Sequence, residues 1–551
     1  MQKQINKPIT RVALIALGAM SFQTAGAFTF ETESLRGSFD SSIGIGLGVR
    51  TLSPSCGLVT DGATGRGAPS GCLAPTSMLG DQGDLNYERG DAFAAQLKGN
   101  HELLLKAPDV GLAFMARVNW VRDFAATETT GVTSATTPPD IRHGQSSSAR
   151  DDLRFKARLL DLWLSKSFTV GEQSVRVRVG NQVISWGESL FLPGGINSTN
   201  ALDIMRLSQP GTQLKEVFLP APMVSVAAGV GDHVNVEAYV QTNWNKSYFP
   251  PSGSYWSVVN GLGKGSGAYG LRDLDAKNSG QWGVALRYQP EGTQINLGLY
   301  AMNFHDKTPQ FTYNGKNEGI VGWVYAENRR LYGVSANFPL GDWAIGTELS
   351  YRPRDAVALN SISGCLSQNG DCWVDEKRWQ WHLTGLLSLT PGGAGSGVLD
   401  IVGASTGTLL AEGVVIYYPD MKRDYGGDPV AAGGWGWGLE YDPAANMKAV
   451  GTRASSGINF DFSLTYDGTI IPGWQVIPGI YYFQALSGRT PNASGLFMKG
   501  AKSLNLYVNF VQNPATWQFG VNYAAFRGGS SPFDQPYRDR DYFGAYATYN
   551  F

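Results

Sequence analysis

The segment Asp541-Tyr-Phe-Gly-Ala-Tyr-Ala-Thr-Tyr-Asn-Phe551 constrains this chain more than any other. Phe543, Ala545, Ala547, Tyr549 and Phe551 share one face of an extended strand, while Gly544, Tyr546, Thr548 and Asn550 share the other. This period-two alternation gives one apolar face and one mixed face. A strand in lipid cannot leave an edge unpaired, because its backbone groups find no water there. A terminal amphipathic strand of this kind therefore points to a sheet closed on itself. An ordinary last strand of a soluble sandwich is the competing reading.

The opposite end agrees with a barrel. Lys3, Lys7 and Arg11 precede the apolar run Val12–Met20, and Ala25-Gly26-Ala27 offers a small-residue cleavage site before Phe28. Basic flank, short apolar stretch and small-residue exit predict a signal peptide over residues 1–27, too short to span a bilayer. No other stretch holds 18 consecutive apolar residues, so any membrane crossing must be made by strands. Phe551, with Tyr549 two residues before it, resembles the assembly signal of Gram-negative outer-membrane barrels, which the barrel assembly machinery reads. The expected setting is outer-membrane lipid.

Alternating segments fall at about 39–50, 93–105, 110–122, 154–168, 174–186, 223–231, 233–244, 280–289, 293–304, 330–338, 342–353, 378–390, 396–418, 457–467, 473–484, 502–512, 515–526 and 541–551. Short connections, such as Lys106–Asp109, Gly231-Asp232 and Pro391–Ser396, alternate with long ones. The long ones cover about 51–92, 123–153, 187–222, 245–279, 305–329, 354–377, 419–456, 485–501 and 527–540. Nine long and eight short connections predict an all-β transmembrane antiparallel barrel of about 18 strands (16–20) spanning 28–551. Every long loop then lies at one end, the asymmetry of outer-membrane barrels. Segment 154–168 needs a register shift near Leu159–Leu160 to turn Asp161 inward.

Only 16% of residues are charged, with 70 glycines and a formal net charge of −2, which gives no sign of a nucleic-acid partner. All four cysteines lie in long loops, Cys56 and Cys72 in the first, Cys365 and Cys372 in the sixth. Pairing within each loop is expected in an oxidising compartment. For catalysis, the five histidines (His101, His143, His233, His305 and His382) make no local Ser/His/acid group, and neither GxSxG nor HExxH occurs. No enzyme activity, metal or cofactor is expected. Inward charges look mixed: Lys98, Arg117, Arg176, Arg178, Arg287 and Arg352 against Glu102, Glu237, Glu348 and Asp461. A dedicated anion channel would show one sign.

The middle of the chain carries motifs. Gly180-Asn-Gln-Val-Ile-Ser-Trp186 runs into Gly187-Glu188-Ser189, followed by Gly195-Ile-Asn197, Asn200 with Asp203, Pro210-Gly211, and Lys215-Glu216 before Pro220. This stretch resembles the hallmark of the family called domain of unknown function 1302, from Gram-negative outer membranes. Asn197-Ser-Thr-Asn-Ala departs from the more usual Asn-Pro. The resemblance implies a barrel that handles lipids or hydrophobic compounds. It also implies two partners, a periplasmic protein of the domain of unknown function 1329 family and an inner-membrane transporter of the resistance-nodulation-division type.

Loop 187–222 is too apolar to be left in water, with Phe191, Ile196, Met205 and Phe218 among its side chains. An 18-stranded lumen is wide enough to take it. The loop is expected to fold inward, Trp186, Gly187 and Glu188 forming the turn. Asn200 would N-cap a short helix to Leu207, with Asp203 near its positive end. Glu188, Arg206, Lys215 and Glu216 would need partners on the wall, Arg176, Arg178 or Glu237 among them. Packing over the rim, or contact between copies, is the alternative. Function then divides between a transporter of hydrophobic or lipid-like molecules (sterols, hydrocarbons, fatty acids, lipids), a general diffusion porin, and an assembly barrel of an export machine.

Overall fold

The computed structural model describes residues 28–56, 58–59, 78, 80–131, 138–207, 209, 212, 214–360, 365–432, 441–442, 447–448, 450–492, 494–529 and 534–551. The expected signal peptide, Cys72 and Pro210-Gly211 lie outside these residues.

Alternation along the chain produces eighteen antiparallel barrel strands: β1 (Arg36–Arg50), β2 (Ala92–Ala107), β3 (Leu112–Asp123), β4 (Phe155–Val170), β5 (Gln173–Gln182), β6 (Ala221–Val230), β7 (Val234–Gln241), β8 (Gln281–Tyr288), β9 (Asn296–Phe304), β10 (Arg329–Leu340), β11 (Trp343–Ala358), β12 (Trp373–Leu389), β13 (Thr406–Tyr417), β14 (Ala454–Asp467), β15 (Trp474–Ser487), β16 (Ala501–Gln512), β17 (Trp517–Gly528) and β18 (Tyr542–Asn550). Each pairs with its sequence neighbours, and β18 pairs with β1 from Ser42↔Asn550 to Arg50↔Tyr542, which closes the sheet. Ser41 and Phe551 exchange both backbone hydrogen bonds, at 2.7 and 2.8 Å. A short strand, Phe28–Glu31, folds back on the start of β1 and stays out of the lumen.

Outward side chains grade as a bilayer does. Trp282, Tyr332, Tyr351, Trp379 and Tyr417 ring the long-loop end, and Tyr288, Trp343, Trp474, Trp517 and Tyr549 the short-turn end. Val284, Leu299, Val334, Leu383 and Val521 lie exposed on the wall between them. Aromatic girdles flanking an apolar band are what a membrane barrel presents to lipid.

The predicted register shift is present. Arg117 of β3 faces a bulge in β4, between the pairs Ala116↔Leu162 and Val118↔Leu159, which turns Asp161 inward. Arg117 then reaches Glu102 at 2.8 Å and Asp161 at 2.9 Å.

One connection differs from expectation. The turn expected at 391–396 continues into a helix, Ser396–Val402, and β13 begins only at Thr406. Val398, Leu399, Ile401 and Val402 make a short apolar run that reads as the start of a strand. Gly395 and Gly403 instead bracket it, both at positive φ (69° and 67°), which admits a single helical stretch.

At the long-loop end, loops 1, 4 and 9 are knitted by buried charge. Arg540 reaches Asp81 at 2.6 Å and Arg50 reaches Asp84 at 2.7 Å, all four side chains being fully buried. Arg540 also donates to the carbonyls of Tyr255 and Ser257. Cys365 and Cys372 form a disulfide within the sixth loop, with Cα atoms 5.0 Å apart. Cys56 is also disulfide-bonded, and its expected partner Cys72 lies outside the described residues.

Candidate functional site

β5 ends at Gln182, four residues short of the expected Trp186, and from Val183 the chain leaves the wall for the lumen. Asn200 fastens the departure: its amide donates to the carbonyl of Ile184 at 2.6 Å, and its Oδ1 accepts from the Ile184 N–H at 3.3 Å. Trp186 is buried against Tyr239 and Tyr300, ring centroids 5.2 and 5.9 Å away. Its indole Nε1 donates to Glu237 of β7 at 2.8 Å. An apolar ring with one polar tip thus seals the first contact between loop and wall.

Beyond this turn the loop hangs on two wall carboxylates. Glu348 of β11 accepts the backbone N–H groups of Glu188 at 2.6 Å and Ile196 at 3.0 Å. Glu412 of β13 accepts those of Phe191 at 2.7 Å and Leu192 at 2.9 Å. Both acids are buried. Close approach is possible because Gly187 and Gly195 flank Glu348, where a Cβ would stand 2.3 and 1.8 Å from its oxygens. Glu412 also meets His382 Nδ1 at 2.7 Å. A carboxylate only accepts, so Nδ1 carries the proton and Nε2 accepts from Gln380 at 2.6 Å. Gln380 donates in turn to the carbonyl of Pro193, and Arg378 to that of Gly194. Hydrogen bonds to a charged acceptor contribute about 1.5–3 kcal/mol each, so the four strongest hold the loop firmly.

The returning limb is pinned separately. Ala201–Leu202 pairs with Phe218–Leu219. The helical turn is shorter than expected, Ile204–Leu207, and Asp203 replaces Asn200 as its cap, accepting from Arg206 N at 2.9 Å. Asn200 is unavailable for that role because Ile184 and Asn197 hold its amide. Arg158 of β4 meets Asp203. Arg206 pairs with Glu216 at 2.6 Å, and Asn100 of β2 donates to the same carboxylate at 3.0 Å. Lys215 lies 3.8 Å from Glu102.

Several expected partners are thereby reassigned. Glu188 accepts from Asn337 at 3.0 Å and lies 3.4 Å from Ser335 Oγ, both on β10, rather than meeting an arginine. Arg206 and Glu216 neutralise each other. Arg176 and Arg178 line the lumen without taking a loop carboxylate. Ile196 is fully buried, but Phe191, Met205 and Phe218 are only half-buried. Leu190 is 44% exposed, and the Phe191 ring stands 5.7 Å from Tyr481 of β15. The loop therefore turns an apolar edge toward the unfilled part of the lumen.

Glu412, Gln380 and Arg378 escaped the sequence reading as site residues, and Glu348 and His382 were seen only as wall residues. A signal existed: Glu412 faces inward with Thr384 and Asn459 as its cross-strand neighbours. An inward acid with no cation opposite must find donors elsewhere. Among the described residues, no group of three His, Cys, Asp or Glu side chains is placed to hold a metal.

The family model described as "Protein of unknown function (DUF1302)" matches residues 9–551. No curated protein matches the sequence. Similar solved structures include Acinetobacter baumannii OccAB1, at TM-score 0.43 and 10% identity, over 95% of this chain and 99% of that one. Pseudomonas aeruginosa OpdK with vanillate matches at TM-score 0.39 and 10% identity, over 94% and 98%.

Proposed function

Since the chain belongs to the DUF1302 family, we propose that it is an outer-membrane channel for hydrophobic or lipid-like molecules, with loop 187–222 as its constriction. Sterols, hydrocarbons, fatty acids and lipids are the candidate substrates. One observation carries this reading: a loop clamped across the lumen presents Leu190 and Phe191 to the remaining passage. A water-filled pore gains nothing from such an edge, whereas an apolar solute leaving water does, at roughly 25 cal/mol per Å² removed. A periplasmic carrier of the domain of unknown function 1329 type and a resistance-nodulation-division transporter would deliver or collect the cargo at the short-turn end.

The test replaces residues 187–222 by a short Gly/Ser hairpin. The barrel is expected to assemble and its ionic conductance to rise severalfold, while passage of a hydrophobic substrate falls. Unchanged conductance would favour the plain diffusion porin. Export is checked alongside by mass spectrometry of the outer-membrane species, which is expected to begin at Phe28.

A further inference from the structure

The inward charges look balanced in the sequence, but the fold pairs them unevenly. Glu348 and Glu412 are occupied by loop N–H groups, and Glu237 by the Trp186 indole. Arg352 meets Asp355 at 2.8 Å, and Arg117 is held by Glu102 and Asp161. On β5, by contrast, Arg176 is exposed and has no ion-pair partner among the described residues. Arg178 lies over the Trp163 ring, 4.0 Å from its centroid; Asp161 and Glu237 are near enough to act on its charge, but neither forms an ion pair with it, and its Nε is buried without a hydrogen-bond partner. Arg287 of β8 stands 4.0 Å from Glu237 and also has a buried Nε without a partner.

Arg176 and Arg178 share one chamber. A cavity of about 180 Å³ under the inward turn is lined by Arg176, Arg178, Gln182, Ser225 and Glu237, with Val183, Ile184 and Trp186 as its apolar side. Arg176 sits four residues from the turn at Gly171-Glu172, roughly 13 Å along the strand. The chamber therefore opens in the short-turn half of the barrel. Allowing ~30 Å³ per water, it has room for a carboxylate or sulfonate group and the first carbons of a chain. Two guanidinium groups on one inward face favour a planar or tetrahedral anion, which a guanidinium can grip bidentately.

We infer that Arg176 and Arg178 form an anion-binding site beneath the loop, selecting amphiphiles with a negatively charged head and an apolar body. The head meets the arginines, and the body follows Val183, Ile184 and Trp186 toward the constriction. This rests on the channel reading above and narrows its substrate class.

The test uses the full barrel in a nonionic detergent and measures saturable binding of dodecanoate, dodecanol and dodecyltrimethylammonium by equilibrium dialysis. Wild type is expected to bind dodecanoate at least tenfold more tightly than dodecanol, and the trimethylammonium probe more weakly still. R176Q/R178Q should abolish that preference, the affinity for dodecanoate falling to that for dodecanol. R176Q alone, at an exposed side chain, should reduce it without a folding defect. Equal binding of dodecanoate and dodecanol by wild type, or a preference that survives in the double variant, overturns the anion site and leaves the hydrophobic channel standing. Failure of all three probes to bind overturns both.

Discussion

The lumen has two walls of different construction. From β10 to β13 its inward side chains are buried under the loop: Glu348, Gln380 and Glu412 bond to loop backbone, and His382 bridges Gln380 and Glu412 behind them. From β14 to β18 much of the inward face stays half-exposed, with exceptions such as Asn459, and its polar groups bond to one another. Tyr507 donates to Asp461 at 2.6 Å, Tyr546 to Asn509 at 3.0 Å, and Asn522 to Asn505 at 2.8 Å. The first wall is built to hold a segment of chain, and the second to stay wet beside a passage. Polar residues on an inward face thus have two uses, and only the partner's position tells them apart.

Breaking the first wall should have the largest effect. E348A/E412A strips at least four buried N–H groups of their acceptor, at about 1–3 kcal/mol each. The loop should come free, with conductance approaching that of the loop-replaced barrel and a clear fall in melting temperature. Single-channel recording and thermal unfolding check both. Wild-type conductance in this variant would mean that packing alone seats the loop.

A smaller effect belongs to the long-loop end. Burial, with the Asp84 carboxylate beside it, pushes Asp539 up to about 7. A carboxyl raised in the folded state favours folding most below its unfolded value of about 4. That contribution is lost as pH rises through 7. Amide exchange in loops 1 and 9, corrected for its intrinsic rate, should show more protection at pH 5.5 than at 8.5. D539N should flatten the difference, and an unchanged pH response would refute the assignment.

The second wall should be the most forgiving. Tyr507→Phe removes one hydrogen bond to Asp461 on a surface that water already reaches. The expected change is about 1 kcal/mol or less in stability and under twofold in conductance. A collapse of either would show that the open wall is structural after all.

Much of the barrel was legible because every strand repeats the same two-residue rule. The bulge at Asp161 was legible as well, since an aspartate on the lipid face would have been too costly to leave there. Loop 187–222 declared itself through side chains too apolar for water. What failed was pairing at long range. Glu188 and Glu348 are separated by 160 residues, and no local pattern joins them. The cap was misassigned because Asn200 and Asp203 are both good N-caps, and only the position of Ile184 decides between them. Helix Ser396–Val402 was missed because seven residues are too few to show a helical period, and a short apolar run passes equally for strand.

Closure of the sheet through β1 and β18 has a consequence for chain entropy. The pair Ser42↔Asn550 joins residues about 500 positions apart, the longest loop the chain must close, although its entropy grows only with the logarithm of length. Phe191 and Glu412 are separated by 221 residues, and Ile196 and Glu348 by 152. The loop's contacts with its acids thus span less than half the sequence separation of the seam, and the cost of closing the seam exceeds theirs by only about 1 kcal/mol or less. Insert and seam are therefore near equals in closure entropy, and a lumen lined this way is cheap to fill as well as to close.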